Sequence, residues 1–178
     1  MRVFAALELP DGVRAELASW SGPLLEGVSG LRVGEPALWH VTTAFYGEVD
    51  ESLLEPLRRR LSRAASRHPP MTLRLAGAGR FGDRVLWVGV EGDLHLLRRL
   101  AASVAAAGRR EGLPVERGRY RPHVTLARAS RPTDLRPLVA AMTGWSSTPW
   151  SAEELSLVRS DLGPPVRHTP IAGWPLGG

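Results

Sequence analysis

The chain is predicted to adopt an α+β fold, with antiparallel sheets carrying helices on their outer sides. Strand-like and helix-like periodicities are mixed along it, and the helices follow strands without the strict alternation of a parallel sheet. A short sequence also occurs twice with a helix signal behind each copy, so that the chain reads as two related lobes. With 178 residues, 43 % of them hydrophobic, one substantial core can be buried, and residues 1–178 are expected to form a single unit.

In chain order, residues 2–8 alternate as a strand that ends at Pro10-Asp11-Gly12. Val13, Leu17, Trp20 and Leu24 recur at helical spacing and predict a helix from about Asp11 to Glu26. A short strand is expected at Leu31–Val33 and a longer one from Trp39 to Tyr46, stopped by Gly47. Ser52-Leu53-Leu54-Glu55 reads as a capping box that places Pro56 in the first turn of a helix reaching about Arg67. A strand at Thr72–Ala76, a glycine-rich turn and a strand at Arg84–Val90 come next, joined hairpin-fashion through Phe81-Gly82-Asp83. Asp93 caps a third helix that buries Leu97, Leu100 and Val104. After a basic loop, Arg117-Gly118-Arg119-Tyr120-Arg121-Pro122, a strand starts at His123. A short helix from Thr133 to Met142 and strands near 154–159 and 167–171 complete the chain.

Composition narrows the chemistry. There is no cysteine, which excludes disulfides, thiolate zinc sites and cysteine nucleophiles. The net charge is +5 and every basic residue is arginine, whose fork matches phosphate. A compositional bias of the source genome produces the same arginine-only set, so charge carries modest weight for nucleic-acid binding. The N-terminal apolar run is too short for a signal peptide, and no stretch approaches the ~20 apolar residues that span a bilayer. A cytoplasmic protein with no membrane partner is expected.

The repeat organises the rest. His40-Val41-Thr42-Thr43-Ala44 matches His123-Val124-Thr125-Leu126-Ala127. Downstream, Ser52-Leu53-Leu54-Glu55-Pro56-Leu57 matches Thr133-Asp134-Leu135-Arg136-Pro137-Leu138, each with a hydroxyl cap, a leucine and a Pro-Leu pair. The pseudo-repeat thus centres on residues 39–67 and 122–142. Side chains two apart on a strand share a face, so His40 stands beside Thr42 and His123 beside Thr125. Val41, Thr43 and Phe45 fall on the core side, and on a regular strand Arg128 points away from His123 and Thr125.

If the lobes face each other, two imidazoles and two hydroxyls converge on one spot. That set suits hydrolysis of a strained phosphodiester. One neutral histidine takes a proton from water while the other, protonated, gives one to the departing oxygen. The hydroxyls donate to non-bridging oxygens where charge accumulates. One ligand per triplet, without carboxylates on the same faces, makes a poor metal site, and neither metal nor cofactor is expected.

The paired His-x-Thr triplets, the opening Arg2-Val3-Phe4-Ala5-Ala6-Leu7, the stretch Phe45-Tyr46-Gly47, and Tyr120-Arg121-Pro122-His123-Val124-Thr125-Leu126-Ala127-Arg128 together resemble the RNA 2′,3′-cyclic phosphodiesterases. These belong to the 2H phosphoesterase superfamily and were first described as 2′-5′ RNA ligases. The resemblance implies a bilobal fold with a central groove lined by two antiparallel sheets. It also implies opening of a terminal cyclic phosphate to a 2′-phosphomonoester, with minor 2′-5′ ligation. Carried over, His40 and His123 match the catalytic pair, Thr42 and Thr125 the phosphate-binding hydroxyls, and Arg128 a basic residue that contacts phosphate. The resemblance further implies that the first histidine protonates the leaving group and the second activates water, an order that the symmetric motif itself leaves open. The expected partner is RNA bearing a 2′,3′-cyclic phosphate end, tRNA fragments being one source, and the expected state is a monomer.

Two departures from the family pattern are visible. Thr43 replaces an aliphatic residue, and Arg167-His168-Thr169-Pro170 lacks an aromatic one. His68, His95 and His168 lack the triplet context and are expected on the surface or in loops. Trp39, Trp87 and Trp150 are assigned to the core or the groove wall. Tyr120 and the arginines at 117, 119 and 121 suit either nucleotide contact or a solvated loop. Two other readings stay open: a cyclic phosphodiesterase acting on a small nucleotide or metabolite, and a non-catalytic module that binds RNA ends.

Overall fold

The computed structural model describes residues 1–178. Strand β1 (Arg2–Glu8) leads into helix α1 (Asp11–Leu25), a short strand β2 (Leu31–Val33) and strand β3 (His40–Glu48). Helix α2 (Glu51–Arg67), the hairpin of β4 (Met71–Phe81) and β5 (Val85–Gly92), and helix α3 (Leu94–Arg110) come next. Strand β6 (His123–Ala129), helix α4 (Arg136–Met142) and strands β7 (Trp150–Ala152), β8 (Glu154–Asp161) and β9 (Arg167–Pro175) complete it. One sheet has the order β3-β1-β8-β9 and the other β2-β6-β5-β4-β7. All pairings are antiparallel, as an α+β chain requires.

With β2 set aside, the two sheet orders map onto each other: β3 on β6, β1 on β5, β8 on β4 and β9 on β7. The chain order maps as well, β1-α1-β3-α2-β4 on β5-α3-β6-α4-β8. Each half therefore builds two strands of its own sheet and lends its third strand to the other. Helices α2 and α3 pack on each other and on the first sheet, while α1 contacts α4, which rests on β4 of the second. A continuous cluster of 37 buried residues joins both sheets to their helices.

Local signals differ from the pattern in instructive ways. Asp50, not Ser52, caps α2: its carboxylate accepts from the Ser52 amide at 2.9 Å and from the Ser52 hydroxyl at 2.6 Å. Pro56 consequently lies in the second turn, where the Ser52 carbonyl loses its helical donor. Helix α4 starts at Arg136 rather than Thr133, and Asp134 accepts from the Arg136 amide at 3.2 Å. In both copies the carboxylate wins over the hydroxyl, because a charged acceptor makes the stronger bond to a free helix N–H. Asp93 stands at the N-cap of α3, but its carboxylate accepts from the Thr72 amide of β4 instead of capping.

The glycine-rich stretch expected to turn after Ala76 is strand. β4 runs on to Phe81 through a bulge between Leu75 and Ala78, with Gly77 at φ 70°. The indole of Trp87 lies where a side chain at Gly79 would stand. β3 likewise continues past Gly47 to Glu48. His68, expected at the surface, is buried and its Nε2 is 2.8 Å from the Ser103 hydroxyl.

The first sheet and α3 meet at Tyr46, which is fully buried and donates its hydroxyl to the Val104 carbonyl at 2.9 Å. Gly108 provides the room, since a Cβ there would lie 2.5 Å from the Tyr46 ring. In an open helix Gly→Ala stabilises by about 1 kcal/mol. Here the anchored ring cannot retreat, and Gly108→Ala is expected to destabilise by roughly 1–3 kcal/mol in urea unfolding; a gain in stability would contradict this packing.

Candidate active site

β3 and β6 share one burial profile over seven residues: half-buried, buried, half-buried, buried, buried, exposed, buried. The half-buried positions are His40 and Thr42 in one strand, His123 and Thr125 in the other. After each threonine the pairing slips. Ala6 pairs with Thr42 but Ala5 with Ala44, and Trp87 pairs with Thr125 but Leu86 with Ala127. The skipped residues, Thr43 and Leu126, are bulges, and each resets the inside-outside alternation by one. The Thr43 hydroxyl donates to the Ala5 carbonyl at 3.0 Å, while the Leu126 carbonyl accepts from the Gly34 amide at 2.9 Å.

The reset turns the sixth position of each strand toward the groove. Phe45, expected in the core, is 41 % exposed and lines it, and so does Arg128, expected to point away. His40, Thr42, His123 and Thr125 line the same groove of about 800 Å³, so the structure brings all five residues together.

Each histidine is held by the carbonyl two residues before it. His40 Nδ1 lies 2.7 Å from the Leu38 oxygen, and His123 Nδ1 2.8 Å from the Arg121 oxygen. A carbonyl only accepts, so Nδ1 carries the proton and Nε2 is left as the reactive nitrogen in both rings. His40 also stacks on Phe4 at 4.4 Å, and His123 meets the edge of Phe81 at 4.9 Å. Phe4 sits with Ala6 and Val158 in a small apolar cluster separate from the main core.

His168, expected among surface residues, belongs to the site. Its ring is 5.1 Å from His40 and 5.0 Å from Phe4, and β9 places it opposite Ser160, another residue lining the groove. No motif marks it, because its position depends on where β9 pairs. Tyr120 turns inward rather than toward a nucleotide: its hydroxyl donates to the Thr42 carbonyl at 2.6 Å and ties the basic loop to β3. Burial raises its pKa. Arg117 and Arg119 stay exposed, and Arg121 lies 6.0 Å over the Trp87 ring.

Burial, followed by the neighbouring His168, pushes His40 from its ordinary 6.5 down to about 4, against the opposing pull of the Leu38 carbonyl. Burial also lowers His123; the Arg121 carbonyl opposes this, and the charges of Arg128 and Arg121 add to it. Both rings are therefore neutral near pH 7.

A family model for the 2′-5′ RNA ligase superfamily matches residues 34–164. RNA 2′,3′-cyclic phosphodiesterases of Geobacillus stearothermophilus and Escherichia coli are each 30 % identical over 98 % of this chain. The chain spans 57 % of the length of the first and 96 % of the second. A solved Thermus thermophilus protein superimposes with a TM-score of 0.83 at 28 % identity, covering 100 % of this chain and 99 % of its own. Escherichia coli LigT in complex with NADP⁺ gives 0.81 at 27 % identity, covering 99 % and 98 %. The same LigT protein has been crystallised with phosphate and with 3′-AMP.

A histidine whose pKa is lower folded than unfolded favours the native state above its unfolded value and loses that contribution as pH falls. For His40 the window runs from 6.5 down to about 4. At pH 5 its share of the loss is roughly 2 kcal/mol. Unfolding of wild type and His40→Gln at pH 7 and pH 5 should show the smaller drop in the variant; equal drops would mean that His40 is not held neutral.

Proposed function

This chain belongs to the 2′-5′ RNA ligase superfamily, and we propose that it hydrolyses the 2′,3′-cyclic phosphate end of RNA to a 2′-phosphomonoester. The observation that carries the mechanism is the pair of histidine-threonine faces, each with Nε2 free, meeting across one groove.

Water attacks the phosphorus and gives its proton to one neutral Nε2. The bond from phosphorus to O3′ breaks, and O3′ takes a proton from the other Nε2, leaving the phosphate on O2′. The family resemblance gives the base role to His123. By the same resemblance His40, wedged between Phe4 and His168, is the acid that protonates O3′. The anionic substrate raises the pKa of both rings when it binds, which returns to His40 the proton that burial withholds. Thr42, Thr125 and Arg128 bind the non-bridging oxygens, where the pentacoordinate state gathers charge. A 5′-hydroxyl of a second RNA in place of water gives a 2′-5′ linkage by the same proton transfers.

No step calls for a metal. No helix is long and apolar enough to cross a membrane. A cytoplasmic monomer acting on RNA ends, tRNA fragments among them, is the setting we infer.

The test is incubation with an oligoribonucleotide ending in a 2′,3′-cyclic phosphate, with EDTA present. A 2′-phosphate product is expected; turnover only with added metal would refute the two-histidine mechanism, and binding without turnover would leave a non-catalytic module. His40→Ala and His123→Ala should each lower the rate by about 10²- to 10⁴-fold. A variant that keeps full turnover removes its histidine from the mechanism.

The pH profile supplies a further check. Because burial holds both rings below 6.5, kcat/KM, which reports the free protein, should peak on the acidic side of 6.5 and fall above neutrality. kcat, which reports the loaded enzyme, should peak at higher pH. A kcat/KM optimum in the alkaline range contradicts the assignment.

A further inference from the structure

Two arginines stand directly opposite each other on the second wall. Arg32 of β2 pairs in register with Arg128 of β6, and both line the groove. Like charges placed so repel, and neither guanidinium takes part in the ion pairs of this chain. Glu35 is the only carboxylate lining the groove, against the three arginines Arg2, Arg32 and Arg128. β2 is also the strand with no counterpart in the first sheet, so the second wall carries an added edge that brings a further cation, Arg32, to the groove.

The matching place on the first wall holds Phe45, with the Arg2 guanidinium 4.4 Å from its ring centroid. The groove is thus nearly symmetric where the His-x-Thr faces meet and asymmetric on either side. A symmetric cradle binds a cyclic phosphate equally well in two orientations. Only the flanks can decide whether O3′ or O2′ faces His40.

Resting on the function proposed above, we propose that Arg32 binds the phosphodiester immediately 5′ of the terminal nucleotide, with Arg128 bridging that phosphodiester and the cyclic phosphate in the cradle. An RNA strand is then preferred over a cyclic mononucleotide. A phosphodiester anion between the two guanidiniums offsets their repulsion and accepts hydrogen bonds from both forks. Arg128 lies close enough to lower the pKa of His123, so an anion on its far side is the next phosphate along a strand whose end occupies the cradle. The same contact fixes the strand's direction across the groove.

The test compares kcat/KM on 2′,3′-cyclic AMP, on the dinucleotide ApA with a 2′,3′-cyclic phosphate end, and on that dinucleotide with an uncharged methylphosphonate linkage. Wild type should prefer the charged dinucleotide, less so at high salt, and should treat the methylphosphonate much as it treats the mononucleotide. Arg32→Ala should lower the ratio of charged dinucleotide to mononucleotide roughly ten- to a hundred-fold, and Arg32→Lys should keep part of it. A wild type with no such preference, or an Arg32→Ala loss equal on all three substrates, overturns the inference. Turnover of none of them by wild type is a different result and defeats the proposed function itself.

Discussion

The slip in pairing after each His-x-Thr triplet is the constraint on which the site depends. A regular strand assigns each face wholly to the core or wholly to the groove. Here one strand must plug a core with Val41 and Tyr46, or with Val124 and Ala129, and also present three side chains to a ligand. One extra residue, Thr43 or Leu126, meets both demands. The cost of an unpaired backbone position is offset locally, by the Thr43 hydroxyl on Ala5 in one strand and by Gly34 on Leu126 in the other. Thr43 thereby supplies its own bulge with a hydrogen bond.

A second constraint acts on the imidazoles. Taking a histidine partly out of water disfavours its charged form, and a buried ring without a partner would be free to turn. The Leu38 and Arg121 carbonyls hold each ring by Nδ1, which fixes the tautomer and aims Nε2. Phe4 and Phe81 close the apolar side of each ring. The two environments are alike in design and unequal in depth, His40 being the more deeply buried ring.

The fold class, the helix positions and the pairing of His40 with His123 were legible because they rest on periodicity and duplication, which a linear sequence displays. The groove-facing place of Phe45 and Arg128 was not, since counting by twos assumes an unbroken ladder and no residue type announces a bulge. His168 was illegible for another reason: a lone histidine on a late strand joins the site only through the register between β8 and β9. Ser52 and Thr133 look like caps by residue type, yet the neighbouring aspartates, Asp50 and Asp134, take the helix amides. The glycines around Gly79 signal a turn by composition, and what they serve is the indole of Trp87 lying across the strand.

The loan of β4 and β8 between the halves reaches beyond architecture. Neither half owns a complete sheet, so no cut between them leaves a self-sufficient piece, although the repeat suggests one. Strand β8 must return past most of the chain to lie against β1, and such distant closures are entropically slow to form. The two walls of the groove therefore become rigid together or not at all, and an intact groove testifies that the entire chain has folded.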